Sequence, residues 1–287
     1  MLLLRSGTGS EVLVDPESGG GLGAWRCRGR EVLRPAPVPV TDPLQLASFP
    51  LVPFSNRIGY GRFRHAGRTV QLKANWTRDS HTIHGIGWTV PWAVTDCSAS
   101  AASLELRYRA GDWPWSFRAV QHISIDSDVL VVTLALTNLD VQAMPAGLGQ
   151  HPCFARPVGT TLTASMQSVW LTGTTGLPER RVAVPAPWRF DAGAALDDLD
   201  LDHVFDGWNR GAVLRWPDGA RVRIGASAAA RFLVVYSPTA HEIVCLEPVT
   251  HMTDAVNRPE PPEITGYRLL STGETLELAM RLEFHEP

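Results

Sequence analysis

The feature that most constrains this chain is a hydrophobic period of two, repeated along nearly its whole length. In Leu276-Glu277-Leu278-Ala279-Met280-Arg281-Leu282-Glu283-Phe284 every even position is apolar and the odd ones are mostly charged or small. Successive side chains of an extended strand point to opposite faces, so this run predicts a strand with one buried and one wet face. Leu104-Glu105-Leu106-Arg107-Tyr108-Arg109 alternates in the same way, as do Leu130, Val132, Leu134 and Leu136 against Val131, Thr133, Ala135 and Thr137. Arg221-Val222-Arg223-Ile224 is a shorter case, joined by a Pro217-Asp218-Gly219 turn to Val213-Leu214-Arg215-Trp216 as a hairpin. Asp126-Ser127-Asp128 and Thr272-Gly273-Glu274 are further turn signals. Helical periodicity is nearly absent, and its best candidate, Ala192 to Asp200, is one turn or a loop.

Many short strands with 25 Gly and 22 Pro point to an all-β fold, a large antiparallel β-sandwich. The 287 residues, 44% hydrophobic, supply a core of that size. The Pro-rich stretch from Arg34 to Pro43 follows too few strands to close off a unit of its own. Residues 1–287 are therefore expected to form a single domain. Pro259-Glu260-Pro261-Pro262 reads as a loop before the last hairpin.

Several function classes recede on composition. The net charge is −3, without a Lys/Arg block, so nothing attracts nucleic acid. Lys73 is the only lysine, and nearly all positive charge is arginine. No apolar run approaches the ~20 residues that span a bilayer, and Met1-Leu2-Leu3-Leu4-Arg5 is too short for a secretory signal. Cys27, Cys97, Cys153 and Cys245 are scattered and form no C-x-x-C pair. A disulfide framework or thiolate zinc site is not expected, and a cytoplasmic location is.

Polar residues gather in apolar surroundings at five places. Asn56-Arg57 sits between an apolar strand and a glycine-rich turn; Arg57 reads as a strand-end charge or as a fork donating to vicinal hydroxyls. His81-Thr82-Ile83-His84-Gly85-Ile86-Gly87-Trp88-Thr89-Val90-Pro91-Trp92 combines imidazoles, glycines and tryptophans. Aromatic faces cover the apolar side of a pyranose while imidazoles bond its hydroxyls, although either tryptophan also fits a core. His151 precedes Pro152, which keeps it extended. Asp202-His203 adjoins apolar residues and also fits an Asx turn. Glu247 shares strand parity with Ile243 and Cys245 in an apolar run, where a carboxylate is costly, and Pro248 follows it. Both candidate proton-transfer residues, His151 and Glu247, thus have backbones restrained by a following proline.

Taken together and in this order, these segments resemble the aldose 1-epimerase (galactose mutarotase) family. The landmarks are Asn56-Arg57-Ile58, His84-Gly85 with the tryptophans after it, His151-Pro152-Cys153-Phe154, Asp202-His203-Val204-Phe205, and Glu247-Pro248 with Asp254-Ala255-Val256-Asn257. The resemblance implies a β-sandwich and a mutarotase that interconverts the α and β anomers of a free monosaccharide. It implies His151 as general acid and Glu247 as general base. Arg57, His84 and Asp202 would bind the sugar, with Asn56 beside the arginine and Trp88 as an aromatic wall. No cofactor or metal is implied, and the state expected is a monomer or weak homodimer.

Two departures bear on specificity. Cys153 stands where the family commonly has tyrosine, and the Ile86 to Trp92 run differs from galactose-specific members. The resemblance therefore points away from galactose, and the phosphosugar branch arranges its arginines differently. An anionic sugar, sulfonated or uronic, is one alternative, with Arg62, Arg64, Arg78 and Arg156 as candidate partners. A carbohydrate-binding protein without turnover is another. A glycoside hydrolase pairing Asp202 with Glu247 fits the landmarks less well. A metal site from His81, His84 and His151 is disfavoured, because a strand would turn His81 and His84 to opposite faces.

Overall fold

A computed structural model describes all residues from Met1 to Pro287. The chain is all-β, with 48% of residues in strands and 7% in helical turns. Two large antiparallel sheets dominate. One has nine strands in the order Ala93–Cys97, Ala101–Tyr108, Phe117–Asp126, Val129–Asn138, Thr275–His285, Arg221–Ala226, Gly211–Arg215, Thr161–Ala164 and Ala194–Ala195. The alternating runs of the sequence lie at its centre: Leu134 faces Leu278, and Ile224 faces Leu282. Their apolar positions are buried as the period-two reading requires. The Gly211–Arg215 and Arg221–Ala226 strands form the expected hairpin.

The other large sheet carries the strands Pro178–Ala183, Ser168–Thr172, Leu201–Asp206, Phe232–Ser237, Ile243–Val249, Gly149–Gln150 and Pro50–Leu51 in that order, and Cys153–Ala155 also pairs with Ile243–Val249. Its inner face supplies Phe205, Leu233, Val235, Val244 and Leu246 to a core shared with Leu104, Leu134 and Leu278 of the nine-stranded sheet. That shared core makes the pair a sandwich. A four-stranded sheet, Leu2–Arg5 to Arg30–Glu31, packs Val12 and Trp25 into the same core.

The reverse face of the second sheet positions the site. It bears a smaller apolar cluster that includes Phe49, Trp88, Val204, Phe232 and Val234. Helical structure is limited to single turns, and the longest, Pro262–Thr265, starts on the last proline of the stretch read as a loop. The strands after it form no hairpin, since Arg268–Leu270 pairs with Met144–Ala146 and Thr275–His285 with Val129–Asn138. The Ala192 to Asp200 stretch is turn and loop around the two-residue strand Ala194–Ala195.

Candidate active site

Strand register places a row of side chains straight across the reverse face. Asp202 pairs with Tyr236, Tyr236 with Cys245, and Cys245 with Cys153. Glu247 lies one period further along the Ile243–Val249 strand, opposite Val234. All of this row, with Glu247, lines a cavity of about 280 Å³. The inward parity read for Glu247 therefore has its structural counterpart: Ile243, Cys245 and Glu247 all open on the same cavity.

His151 is held between the Gly149–Gln150 and Cys153–Ala155 strands, with its N–H donating to the Phe49 carbonyl at 3.1 Å. The Phe49 ring stacks on the imidazole, centroids 4.4 Å apart. Nε2 of His151 is 3.2 Å from Glu247 Oε1, and the two side chains are 12% and 2% exposed. Burial by itself would depress the imidazole. The Glu247 carboxylate, helped by Cys153, more than offsets it and lifts His151 to about 9. Burial raises Glu247 to about 7, opposed by the charge of His151. Glu247 Oε2 is buried with no hydrogen-bond partner in the chain, a costly arrangement that a ligand hydroxyl would relieve.

Two loop segments close the cavity from the other side, and they brace each other at two strained residues. Asn56 and His84 both have positive φ, 56° and 59°, a conformation rare outside glycine. The Asn56 N–H donates to His84 Nδ1 at 3.2 Å, while the His84 N–H donates to the Asn56 carbonyl at 2.8 Å. Because Nδ1 accepts, the ring proton sits on Nε2. Burial first, then the charges of His151 and Arg57, hold His84 well below the usual imidazole range. It is therefore a neutral donor, edge-on to His151 with centroids 5.3 Å apart. Gly85 makes the bend possible: a Cβ there would lie 2.2 Å from the Val52 carbonyl oxygen.

Arg57 is gripped on two sides. Its Nε donates to Asp79 Oδ2 at 2.8 Å and its Nη1 to Asp202 Oδ2 at 3.0 Å. Burial opposes its charge, but the two carboxylates prevail and raise its pKa. Asn56 Oδ1 accepts from the Arg57 N–H at 2.8 Å. The late Asp-Ala-Val-Asn landmark proves to be a brace. Asp254 Oδ1 accepts from the Gly59 N–H and from Asn257 Nδ2, and the Asp254 N–H donates to the Arg57 carbonyl. His251 supports the same loop, its Nε2 accepting from the Ser55 N–H at 3.1 Å. A Cβ at Gly147 would sit 1.9 Å from the His251 ring.

His151, Glu247, Arg57, His84, Asp202 and Asn56 thus meet around one cavity. Trp88 does not join them. It is 2% exposed in the smaller apolar cluster, and its Nε1 donates to the Ile83 carbonyl at 3.3 Å. The reason is local: Gly87–Thr89 is a 3₁₀ turn that tucks the indole beneath the loop. The aromatic lining comes from Trp76, Phe49 and Tyr236. His81 is equally remote, with Nδ1 accepting from the Tyr60 N–H and Nε2 bonded to the Thr175 carbonyl. His203 bonds Thr172 instead of facing the cavity.

The arginines offered for an anionic sugar divide. Arg78 lines the cavity. Arg156 is buried and donates to five backbone carbonyls, while Arg62 and Arg64 are exposed outside the cavity. Arg34, which no motif in the sequence marks, lines it as well. Asp79 and Trp76 were also missed; Asp79 carried a signal in Asp79-Ser80-His81, whose Asx contact from the His81 N–H is present at 2.8 Å. The cysteines likewise depart from their scattered reading, since Cys153 and Cys245 are cross-strand neighbours on the cavity wall.

The sequence model of the family described as aldose 1-epimerase matches residues 1–283. The Escherichia coli K12 protein YphB is 32% identical over 247 residues, 82% of this chain and 83% of its own length. A solved structure of an aldose 1-epimerase candidate from Escherichia coli K12 superposes with a TM-score of 0.91 at 28% identity, covering 99% of this chain and 98% of the other. A galactose mutarotase-like protein from Clostridium acetobutylicum shares the fold at 20% identity, with a TM-score of 0.87 and coverage of 98% and 94%.

Proposed function

Since the chain belongs to the aldose 1-epimerase family, we propose that it interconverts the α and β anomers of a free aldose at the cavity between His151 and Glu247. The observation that carries this reading is the 3.2 Å contact of His151 Nε2 with Glu247 Oε1 beside an unpartnered Glu247 Oε2. Ring opening must take a proton from the C1 hydroxyl and give one to the ring oxygen. Both oxygens sit on the same carbon, so the acid and the base must be neighbours, as these two are.

Glu247 takes the C1–OH proton as His151 protonates the ring oxygen, and the C1–O5 bond breaks to leave an open-chain aldehyde. Rotation about C1–C2 presents the other carbonyl face, and the transfers reverse. Each such transfer is worth ~10²–10⁴-fold in rate. Arg57, His84 and Asp202 orient the hydroxyls, with Asn56 holding Arg57 in place. His84 donates from Nε2, and Asp202 accepts while its other oxygen is engaged by Arg57. The test is polarimetry on freshly dissolved single anomers of several aldoses. A rate above the uncatalysed one that scales with protein supports the proposal, and none for any aldose rejects it.

One observation favours an anionic aldose as the preferred substrate. Arg34 and Arg78 line the cavity; Arg34 Nη2 is held by the Gln45 and Leu46 carbonyls, while its Nε is buried and unpartnered. Arg34→Gln should then raise KM for a uronate selectively; an equal loss for neutral aldoses would exclude that preference.

A further inference from the structure

Cys153 and Cys245 take no part in the chemistry above, yet the fold sets them against His151. They face each other directly across the Cys153–Ala155 and Ile243–Val249 strands. The Cys153 backbone is turned away from that neighbour: its N–H donates to the Ala47 carbonyl at 2.9 Å and its carbonyl accepts from the Arg34 N–H at 2.8 Å. The pair is therefore of the non-hydrogen-bonded kind, which brings facing side chains closest.

His151 Nδ1 lies 3.7 Å from Cys153 Sγ, and one ligand atom from each of His151, Cys153 and Cys245 lies within 4.8 Å of the others. Tetrahedral zinc, with Zn–S about 2.3 Å and Zn–N about 2.0 Å, separates its ligand atoms by roughly 3.5–3.8 Å. The His151–Cys153 edge already has that length, and the remaining edges, at most 4.8 Å, need close by no more than about 1.3 Å. The other imidazole nitrogen faces the Glu247 carboxylate at 3.2 Å, which is how carboxylates orient metal-binding histidines. Two thiolates would neutralise a divalent ion, so the buried site would carry no net charge. All three residues line the cavity, which leaves a fourth position open to it.

We propose that His151, Cys153 and Cys245 bind one zinc-class cation, and that this ion, by occupying His151, shuts off anomer exchange. The inhibition rests on the function proposed above; the binding does not.

The test is titration of the reduced, metal-free protein with Co²⁺, followed by displacement with Zn²⁺, with anomer exchange measured in parallel. One equivalent of Co²⁺ should give tetrahedral visible bands and a thiolate-to-cobalt band in the near ultraviolet. Cys153→Ser or Cys245→Ser should abolish that band and weaken zinc binding by ~100-fold or more, whereas Cys97→Ser, at an exposed thiol, should leave it intact. Far-ultraviolet circular dichroism of each variant checks folding, and Cys245→Ala replaces any serine variant that does not fold. An octahedral spectrum without a thiolate band, or a band that survives loss of both cavity cysteines, overturns the site. Full exchange by the zinc-saturated protein overturns the inhibition. The cobalt spectrum needs no sugar, so the site is decided even if the metal-free protein proves inactive.

Discussion

His151 Nε2 and Glu247 Oε1 lie 3.2 Å apart inside the cavity, and each residue shapes the other's charge. The imidazolium is kept by the carboxylate up to about 9, and the carboxylate loses its proton at about 7. In metal-free protein kcat/KM should rise through about pH 7 as Glu247 ionises and fall through about pH 9 as His151 deprotonates. These limbs belong to the coupled pair, not to one residue each. A flat profile from pH 5 to 10 would count against the acid and base roles.

The same shifts set a stability trend. Both folded-state pKa values are raised, from 4.5 to about 7 for Glu247 and from 6.5 to about 9 for His151. The native state therefore holds protons more tightly than the unfolded chain, and the pair's contribution falls as pH rises between those limits. The Glu247 contribution is complete below pH 4.5 and lost through about 7; the His151 contribution is complete below 6.5 and lost through about 9. In Glu247→Gln, His151 loses the largest influence opposing burial and keeps only the smaller help of Cys153, so its imidazole pKa should fall from about 9 by NMR titration. An unchanged His151 titration would contradict the coupling.

Arg57 holds Asp79 and Asp202 at once through two different nitrogens. Lysine keeps the charge but not the planar fork. Arg57→Lys should lower kcat/KM by ~10²-fold through misplacement of the sugar, with KM rising. A variant with wild-type kinetics would show that the two carboxylates need no bridge.

The two tryptophans should separate stability from binding. Trp88 is buried in the apolar cluster, so Trp88→Ala should cost ~3–5 kcal/mol in denaturant unfolding. Trp76 lines the cavity and is only partly buried, so Trp76→Ala should raise KM with little effect on the unfolding midpoint. The reverse pattern would return Trp88 to the binding wall.

Asp254 tests the brace beneath Arg57. Asp254→Ala leaves the Gly59 N–H without its acceptor, which should cost ~1–3 kcal/mol and also lower kcat/KM, though Asp254 is not among the cavity-lining residues. Loss of stability with unchanged kinetics would show that the Arg57 loop holds its position unaided.

What could be read without coordinates follows from periodicity. The alternation of Leu276 to Phe284 foretells a two-faced central strand, and the parity of Glu247 with Ile243 and Cys245 foretells which face it shares. His151 is visible through its proline neighbour. Trp88 misleads because a 3₁₀ turn has no period to show which way its indole points. Tyr236 and Asp202 meet through strand register, which pairs residues far apart in sequence. The Cys153–Cys245 contact is hidden for the same reason. Trp76 and Asp79 arrive on a loop whose path is set by Asn75, bonded to the Ile83 and Gly85 carbonyls.

The most direct test of the central claim is anomeric exchange by NMR saturation transfer in wild type, Glu247→Gln and His151→Asn. The panel should be galactose, glucose, arabinose, rhamnose, a uronic acid and a sulfonated hexose. The account predicts accelerated exchange for at least one of these sugars, reduced by ~10²–10⁴-fold in each variant while the sugar still binds. Exchange that survives in both variants, or binding without acceleration in wild type, would contradict it.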